Sequence, residues 1–339
     1  MKKRFFLILL SVLLLTSPII SEAKYIKEED LWRYNLEKAI LFALNPQNLS
    51  SISNLAIKLK GSDIKESAWN ILKWEEENIE YDIEKAELPP SLIRIYSTGR
   101  IEVVQGEENV FQLPSETISK GKGICGDYAL LTAGLLLKMD YQPVYILDIE
   151  FENDPIKHVV TGIIVNGWLF ILDQHPPVMD AGTFYKYWLK HEGKIIKDIT
   201  LYEISYEEDI VVKKYGVDKE VFMGLDYDFS TRDLEAIGGY LMLKIKDNFK
   251  NLVIDPQIAS LDKLVYLPRG YTQGKIYSFQ FPEFLDYYNP IFHFQFIDYL
   301  YGEILDDKNI LENMKNFKYF FVRADALQED LVIILNLAK

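Results

Sequence analysis

Residues 121–131 have the sequence Gly-Lys-Gly-Ile-Cys-Gly-Asp-Tyr-Ala-Leu-Leu, and they contain Cys125, the single cysteine among 339 residues. Gly123 and Gly126 flank the sulfur, and residues 128–137 form an apolar run without proline. This pattern predicts a tight turn that opens a buried helix with the thiol at its N-terminus. The N–H groups and the dipole at that end of a helix stabilise a thiolate. The alternative interpretation is a small buried hydrophobe, which is what many free cysteines are.

Two β-rich runs, residues 158–165 and 168–173, are separated by Asn166 and Gly167. An Asn-Gly pair between such runs is the strongest short-range signal of a β-hairpin with a type I′ turn. A two-residue loop would place Val165 opposite Trp168. The whole register of the hairpin follows from that one pair.

This register places His158 and Asp173 on the same face of the hairpin as diagonal neighbours. An imidazole beside a carboxylate, together with a cysteine at a helix N-terminus, provides the parts of a thiol nucleophile system. His175 lies opposite His158 in the same register and is the rival general base, since a one-residue bulge would exchange the two. We therefore predict Cys125 as nucleophile, His158 as general base and Asp173 as the acid that orients it.

The three blocks together resemble the transglutaminase-like superfamily of cysteine enzymes, which has a papain-like core. The resemblance covers residues 64–175, about a third of the chain. The matching positions are Gly123, Cys125, Asp127 and Ala129 in the first block, His158 in the second, Asp173 in the third, and landmarks at residues 78–82 and 114–117. The chain departs from the family pattern at residues 159–160, where many members have an aromatic residue, and at Gln174, where many have proline.

The resemblance, which is nearest to archaeal members of the superfamily, implies an α+β fold in which a nucleophile helix packs on an antiparallel sheet. It also implies chemistry through a thioester intermediate. We therefore expect a cysteine-dependent acyl-transfer enzyme, a peptidase or amidase acting on a protein or peptide substrate. A transglutaminase-type amine acceptor is a variant of the same chemistry. The alternative is an inactive transglutaminase-like module used for binding or surface assembly.

The first residues indicate where the protein works. Three basic residues at positions 2–4 precede an apolar run at residues 5–20, and Ser21-Glu22-Ala23 offers small residues for cleavage. This is the pattern of a secretory signal peptide. The apolar run is shorter than the about 20 residues of a bilayer span, and an uncleaved N-terminal membrane anchor is the alternative. In both cases we expect an extracytoplasmic protein, secreted or tethered to the outer face of the cytoplasmic membrane.

Charge and composition limit the partners. The chain carries 37 basic and 51 acidic residues; without residues 1–23 the balance is 34 against 50, a net charge of −16. Such a charge disfavours binding to nucleic acid. With one cysteine and four histidines, the sequence has no pattern of zinc ligands, and it predicts neither a metal nor a cofactor. It does not predict the oligomeric state.

The predicted organisation has two parts after the signal segment. Residues 24–205 form the catalytic domain, with helices over residues 28–45 and 63–78, and residues 206–339 form a C-terminal α+β region. In that region Ser230 to Asp233 has the form of a capping box before a helix. Residues 317–323 and 331–337 are predicted to form a closing hairpin.

Overall fold

The structure is a computed structural model that describes residues 24–264 and 266–339. Within these residues helices and strands alternate through the N-terminal half and again through the C-terminal third. The helices are α1 (Leu36–Ala43), α2 (Ser53–Leu59), α3 (Ile64–Asn78), α4 (Ile83–Ala86), α5 (Pro114–Lys120), α6 (Cys125–Lys138), α7 (Ala181–Glu192), α8 (Lys219–Gly224), α9 (Thr231–Asn248), α10 (Phe284–Tyr287), α11 (His293–Leu305) and α12 (Lys308–Asn316).

The strands form four sheets. They are β1 (Lys24–Ile26), β2 (Glu80–Tyr81), β3 (Leu92–Ile95), β4 (Ile101–Gln105), β5 (Lys122–Gly123), β6 (Val144–Phe151), β7 (Asp154–Val165), β8 (Trp168–Leu172), β9 (Met179–Asp180), β10 (Ile196–Tyr206), β11 (Ile210–Val217), β12 (Val253–Ile254), β13 (Gly274–Phe281), β14 (Tyr319–Leu327) and β15 (Asp330–Ala338). The largest sheet is antiparallel with strand order β11-β10-β6-β7-β8-β9.

Helix α6 packs on one face of this sheet. Its residues from Gly126 to Leu137 are all buried, so the apolar run seen in the sequence surrounds the helix rather than forming one stripe. Thr161 Oγ1 of β7 donates a hydrogen bond to the Ala129 carbonyl at 2.8 Å. On the other face, Val160 shares an apolar cluster with Phe184 of α7. The predicted α+β core, a nucleophile helix on an antiparallel sheet, is confirmed.

The C-terminal residues add a second sheet with strand order β12-β14-β15-β13. Its apolar residues belong to the same buried cluster as α6. Trp69 of α3 packs edge-on against Phe296 of α11 at 5.2 Å between ring centroids. Phe170 of β8 meets Phe292 in the same way at 4.8 Å. The division into residues 24–205 and 206–339 remains a prediction.

Several predicted elements lie where the sequence placed them. Helix α3 begins after Asp63, whose side chain accepts a hydrogen bond from the Glu66 N–H. Ser230 and Asp233 form the capping box of α9. The closing hairpin is β14–β15.

The single helix predicted over residues 28–45 is wrong in its continuity. Residues Glu28–Tyr34 form a 3₁₀ helix, and α1 starts afresh after Asn35. The reason is local, because the Asn35 side chain accepts a hydrogen bond from the Lys38 N–H and so acts as an N-cap inside the predicted helix.

The predicted signal segment, residues 1–23, lies outside the described residues. Between residues 24 and 339, apart from residue 265, no helix is long and apolar enough to cross a membrane.

Candidate active site

Cys125 is the first residue of α6, as the glycine-flanked pattern predicted. Strand β5 leads into it and pairs in parallel with β2, with Tyr81 beside Gly123. A side chain at Gly126 could not be accommodated without movement, since its Cβ would lie 2.6 Å from the Phe111 ring. Tight packing therefore fixes the chain on both sides of the sulfur.

Asp127 organises the start of this helix. Its carboxylate accepts hydrogen bonds from the Ile124 N–H at 3.0 Å, the Gln112 N–H at 2.9 Å and the Gln112 Nε2 at 3.0 Å. The Lys85 ammonium lies 2.5 Å away, and both charged side chains are buried. The position of Asp127 in the first helical turn agrees with the helix dipole. The buried lysine had no signal in the local sequence.

The hairpin that carries the other two predicted residues has the predicted register. Val165 pairs with Trp168, and the ladder continues to Thr161 opposite Leu172. Asn166 and Gly167 both have positive φ, 53° and 83°, as a type I′ turn requires. The strand pairing thus places the ends of β7 and β8 next to each other.

His158 and Asp173 are in contact. The imidazole Nε2 lies 2.9 Å from Asp173 Oδ2, and only 8% of His158 is exposed. Burial of the ring lowers the pKa of His158, but the charge and hydrogen bond of Asp173, followed by the hydrogen bond and charge of Cys125, raise it to about 10. The sulfur therefore lies within electrostatic range of the imidazole, whose raised pKa favours the imidazolium at neutral pH.

His175, the rival base, is placed differently. Its Nδ1 lies 2.9 Å from the Pro176 carbonyl oxygen. His158, by contrast, contacts Asp173 and interacts electrostatically with Cys125. His158 is therefore the candidate general base.

Tyr81 is a site residue that the sequence analysis did not single out. Burial of its hydroxyl, followed by the negative charges of Cys125 and Asp173, raises the pKa of Tyr81, although 39% of the residue is exposed. The hydroxyl therefore lies within electrostatic range of the thiol and of Asp173, while part of the side chain faces solvent. Residues 78–82 were noted as a landmark, but only the parallel pairing of β2 with β5 brings Tyr81 to the thiol.

Two aromatic residues of α7 cover His158. The Trp188 ring lies 4.7 Å from the imidazole between centroids, and the Phe184 ring stacks at 6.3 Å. They exclude water from the His158–Asp173 pair, which strengthens its electrostatic interaction. Nothing in the sequence of α7 itself shows what this helix packs against.

Gln112 and Trp69, two side chains with N–H groups that could donate to an oxyanion, have other contacts. Gln112 Nε2 donates to Asp127 and to the Lys122 carbonyl, and Trp69 packs against Phe296. In the described part of the chain, no group of three or more His, Cys, Asp or Glu side chains could hold a metal ion.

A cysteine at the start of a buried helix, with a histidine and an aspartate on the facing sheet, is the arrangement expected for the class of transglutaminase-like proteins. Comparison with known proteins gives the family. The profile of the family described as "Transglutaminase-like domain" matches residues 50–202. A UPF0252 protein of Archaeoglobus fulgidus is 34% identical over 98% of this chain and 99% of its own length. A second UPF0252 protein, from Pyrococcus furiosus, is 31% identical over 90% of this chain and 85% of its own. The chain belongs to the archaeal UPF0252 family of transglutaminase-like proteins.

Two solved structures are also similar to this chain. One is described as a putative cysteine protease from Cytophaga hutchinsonii, with 16% identity, a TM-score of 0.29, and coverage of 58% of this chain and 63% of that one. The other is Legionella pneumophila LapG, with 18% identity, a TM-score of 0.25, and coverage of 52% and 93% respectively.

Proposed function

We propose that this protein is an exported cysteine-dependent acyl-transfer enzyme, a peptidase or amidase that acts through a thioester on Cys125. The observation that carries the proposal is the position of His158. Its buried imidazole is hydrogen-bonded to Asp173 and lies within electrostatic range of Cys125. An inert buried cysteine would not require a charged partner of this kind.

Acylation follows from the geometry. The Cys125 thiolate attacks the carbonyl carbon of the scissile amide, and the C–S bond forms while the carbonyl oxygen becomes an oxyanion. Because Nε2 of His158 is held by Asp173, Nδ1 is the nitrogen left to face the sulfur. The imidazolium donates its proton to the leaving amine nitrogen, the C–N bond breaks, and a thioester remains.

The oxyanion needs donors that are already in place. The backbone N–H of Cys125 is one, because the first four N–H groups of a helix have no intrahelical acceptor. We assign the second donor to the Tyr81 hydroxyl, which lies close enough for the charges on Cys125 and Asp173 to raise the pKa of Tyr81.

In the release of the acyl group, His158 acts as the general base instead of the general acid. Neutral His158 removes a proton from water, the hydroxide adds to the thioester carbonyl, and the C–S bond breaks to return the thiolate. The products are a carboxylic acid and the free enzyme. A primary amine in place of water would give a new amide, the cross-linking variant of the same reaction.

The direct test is a mechanism-based probe together with a peptide library. The purified protein should form a covalent adduct on Cys125 with a peptide aldehyde or acyloxymethyl ketone, mapped by mass spectrometry, and should release products from part of the library. Cys125→Ala should do neither, while keeping the wild-type circular dichroism spectrum. A folded wild-type protein whose thiol reacts with no electrophile would favour the binding-module alternative.

The extracytoplasmic location is a separate part of the proposal, and it depends on residues 1–23. N-terminal mass spectrometry of the protein from its host should find either a start at Lys24 or an intact anchor. Protease added to spheroplasts should degrade the protein in both cases. Full protection in intact spheroplasts would contradict export and leave the proposed chemistry unaffected.

A further inference from the structure

A cleft of about 180 Å³ lies between α7 and the C-terminal region. One wall is α7; the others are residues 226–229, the end of α10 and the β14–β15 turn at residues 328–329. None of the proposed catalytic residues Cys125, His158 and Asp173 lines this cleft. The cleft is therefore a place where that region can contribute to function.

Helix α7 is a common wall of this cleft and of the catalytic site. Phe184 and Trp188, one turn apart, contact His158. Thr183 and Tyr187, also one turn apart on the adjacent stripe of the helix, line the cleft. Burial, then the charges of Glu192 and Asp173, raise the pKa of Tyr187, so its hydroxyl lies within electrostatic range of the catalytic carboxylate. A group in the cleft would be separated from the triad by the thickness of one helix.

The cleft is preformed, because α7 is bonded to the C-terminal region at its N-terminus. The buried Asp180 side chain caps α7 through the Thr183 N–H at 2.9 Å and accepts a second bond from Asn289 Nδ2 at 2.9 Å. The Gly182 N–H donates to the Leu225 carbonyl at 2.7 Å. These hydrogen bonds hold α7 and the C-terminal region together, so the cleft forms without a ligand.

The lining is aromatic and acidic. Its rings belong to Tyr187, Tyr227, Phe229 and Tyr287, and its carboxylates to Asp226, Asp228, Asp286 and Glu329. The two lysines of the cleft are already paired: Lys186 with Asp226, and Lys190 with Asp286 and Glu329. Asp228 is exposed and forms no ion pair within residues 24–264 and 266–339. An unpaired carboxylate among aromatic faces attracts an organic cation and repels an anion.

We propose that this cleft is a subsite for the ammonium group of a lysine side chain in the polypeptide substrate. Asp228 provides the counter-charge, and Tyr187 and Phe229 provide the aromatic walls for the aliphatic stem. The proposal rests on the proposed function in naming that polypeptide a substrate. Specificity then comes from both halves of the chain: the triad supplies the chemistry and the C-terminal region selects a lysine near the scissile bond.

Binding is measured in the full chain with Cys125→Ala, so that no turnover can occur. Fluorescein-labelled peptides that differ only in lysine, acetyl-lysine or norleucine are titrated and followed by anisotropy. We expect acetylation or replacement by norleucine to weaken binding about fivefold to tenfold, consistent with a partly desolvated cation–aromatic and ionic contact. Cadaverine at millimolar concentration should compete poorly if the site takes the side chain of a peptide, and well if it takes a free amine acceptor.

The variants make the test specific. In the Cys125→Ala background, Asp228→Asn should abolish the preference for lysine, and Asp228→Glu should keep most of it. Glu208→Gln, an exposed carboxylate in the β10–β11 turn outside the lining, is the matched control and should change nothing. Equal affinity for lysine and acetyl-lysine peptides, or a lysine preference that survives Asp228→Asn, would overturn the subsite. A lysine preference in a protein whose wild-type thiol proves unreactive would retain the subsite and reject the proposed enzyme.

Discussion

At the scale of single residues, the His158–Asp173 contact distinguishes His158 from His175, the rival general base in the sequence. His158 is buried between a carboxylate and a thiol, whereas His175 is bonded to its neighbour's carbonyl. The pKa of His158, raised to about 10, gives it the charge state of a proton donor at neutral pH. Its environment, more than its place in the sequence, makes it the candidate acid and base.

The first prediction concerns this division of labour. Asp173→Asn should lower kcat about 10³- to 10⁴-fold with the fold intact, because the imidazole loses the partner that orients it and stabilises its charge. His158→Ala should be at least as damaging and should also slow alkylation of the thiol by iodoacetamide at pH 6. His175→Ala is the control and should stay near wild-type activity. Equal losses for the two histidine variants, with both folded, would transfer the role of base to His175.

Tyr81 gives the second prediction. Tyr81→Phe removes one hydroxyl aimed at the reacting carbonyl and should lower kcat about a hundredfold, in the range found for single oxyanion donors. KM should change little, because the lost bond forms in the transition state. Steady-state kinetics on a fluorogenic peptide measures both constants. Tyr215→Phe, a half-exposed residue of β11, is the matched control, and a Tyr81→Phe enzyme with unaltered kcat would remove Tyr81 from the mechanism.

At the scale of elements, the buried polar contacts of α6 hold the nucleophile in position. Asp127 ties the first turn of α6 to Lys85 at the C-terminal end of α4, and Thr132 in its middle donates to Glu75 of α3 at 2.7 Å. Both acidic side chains are fully buried. Such contacts specify one orientation of a helix that is otherwise apolar on every side.

The ion pair at the helix start leads to the third prediction. Asp127→Ala should lower the free energy of unfolding by about 3–5 kcal/mol, because it leaves the Lys85 ammonium buried without its partner. The double variant Lys85→Met with Asp127→Asn should recover much of this loss, since no buried charge then remains. Urea denaturation of wild type, Lys85→Met, Asp127→Asn and the double variant gives the coupling between the two sites. Strictly additive losses would mean that Lys85 reaches solvent when Asp127 is removed.

Glu75 supplies the fourth prediction, on pH. Burial raises the pKa of Glu75 well above 4.5, and the nearby charge of Asp173 adds to the effect. The folded state thus holds a proton that the unfolded chain releases above its ordinary pKa. The contribution of protonated Glu75 to the free energy of unfolding is complete below about pH 4.5, and it declines as the pH rises toward the pKa of Glu75 in the folded state.

Glu75→Gln removes this titration and should therefore raise the urea midpoint relative to wild type at pH 7.5 by more than at pH 4. The matched control is Glu76→Gln, an exposed neighbour on the same helix, which should give the same small change at both pH values. A benefit of Glu75→Gln that is equal at pH 4 and pH 7.5 would show that Glu75 is ionised in the folded state.

At the scale of the whole molecule, the C-terminal region is packed against the site through the start of α7. A side chain at Gly182 would place its Cβ 2.4 Å from the Asp226 Cβ and 2.7 Å from the Met223 carbonyl oxygen. The start of α7 and the segment from Met223 to Asp226 therefore approach each other as closely as a glycine permits. The position of α7, and with it the aromatic cover on His158, depends on this junction.

The fifth prediction tests the junction. Gly182→Val should destabilise the protein by about 1–3 kcal/mol, the range for overpacking, and should lower kcat because α7 carries Trp188 on His158. Gly239→Ala, at a helical position with open space around its Cβ, should be neutral or stabilising by up to about 1 kcal/mol. Thermal unfolding and kinetics on both variants provide the comparison. A Gly182→Val protein with wild-type stability would mean that the junction opens without cost.

The sequence by itself determined the features that depend on neighbours along the chain. The start of α6 at Cys125 followed from flanking glycines and an apolar run, and the β7–β8 register followed from Asn166-Gly167. These are local effects of turn geometry and periodicity. Where a local signal competed, as at Asn35, the prediction of one continuous helix was wrong.

Only the tertiary structure decided which distant residues surround the candidate site. Tyr81 arrives through the parallel pairing of β2 with β5, Lys85 through its burial against Asp127, and Trp188 through the packing of α7 on the hairpin. No residue near them in sequence indicates these contacts. Their energies come from desolvation and packing between segments far apart in the chain, and those quantities exist only once the chain has folded.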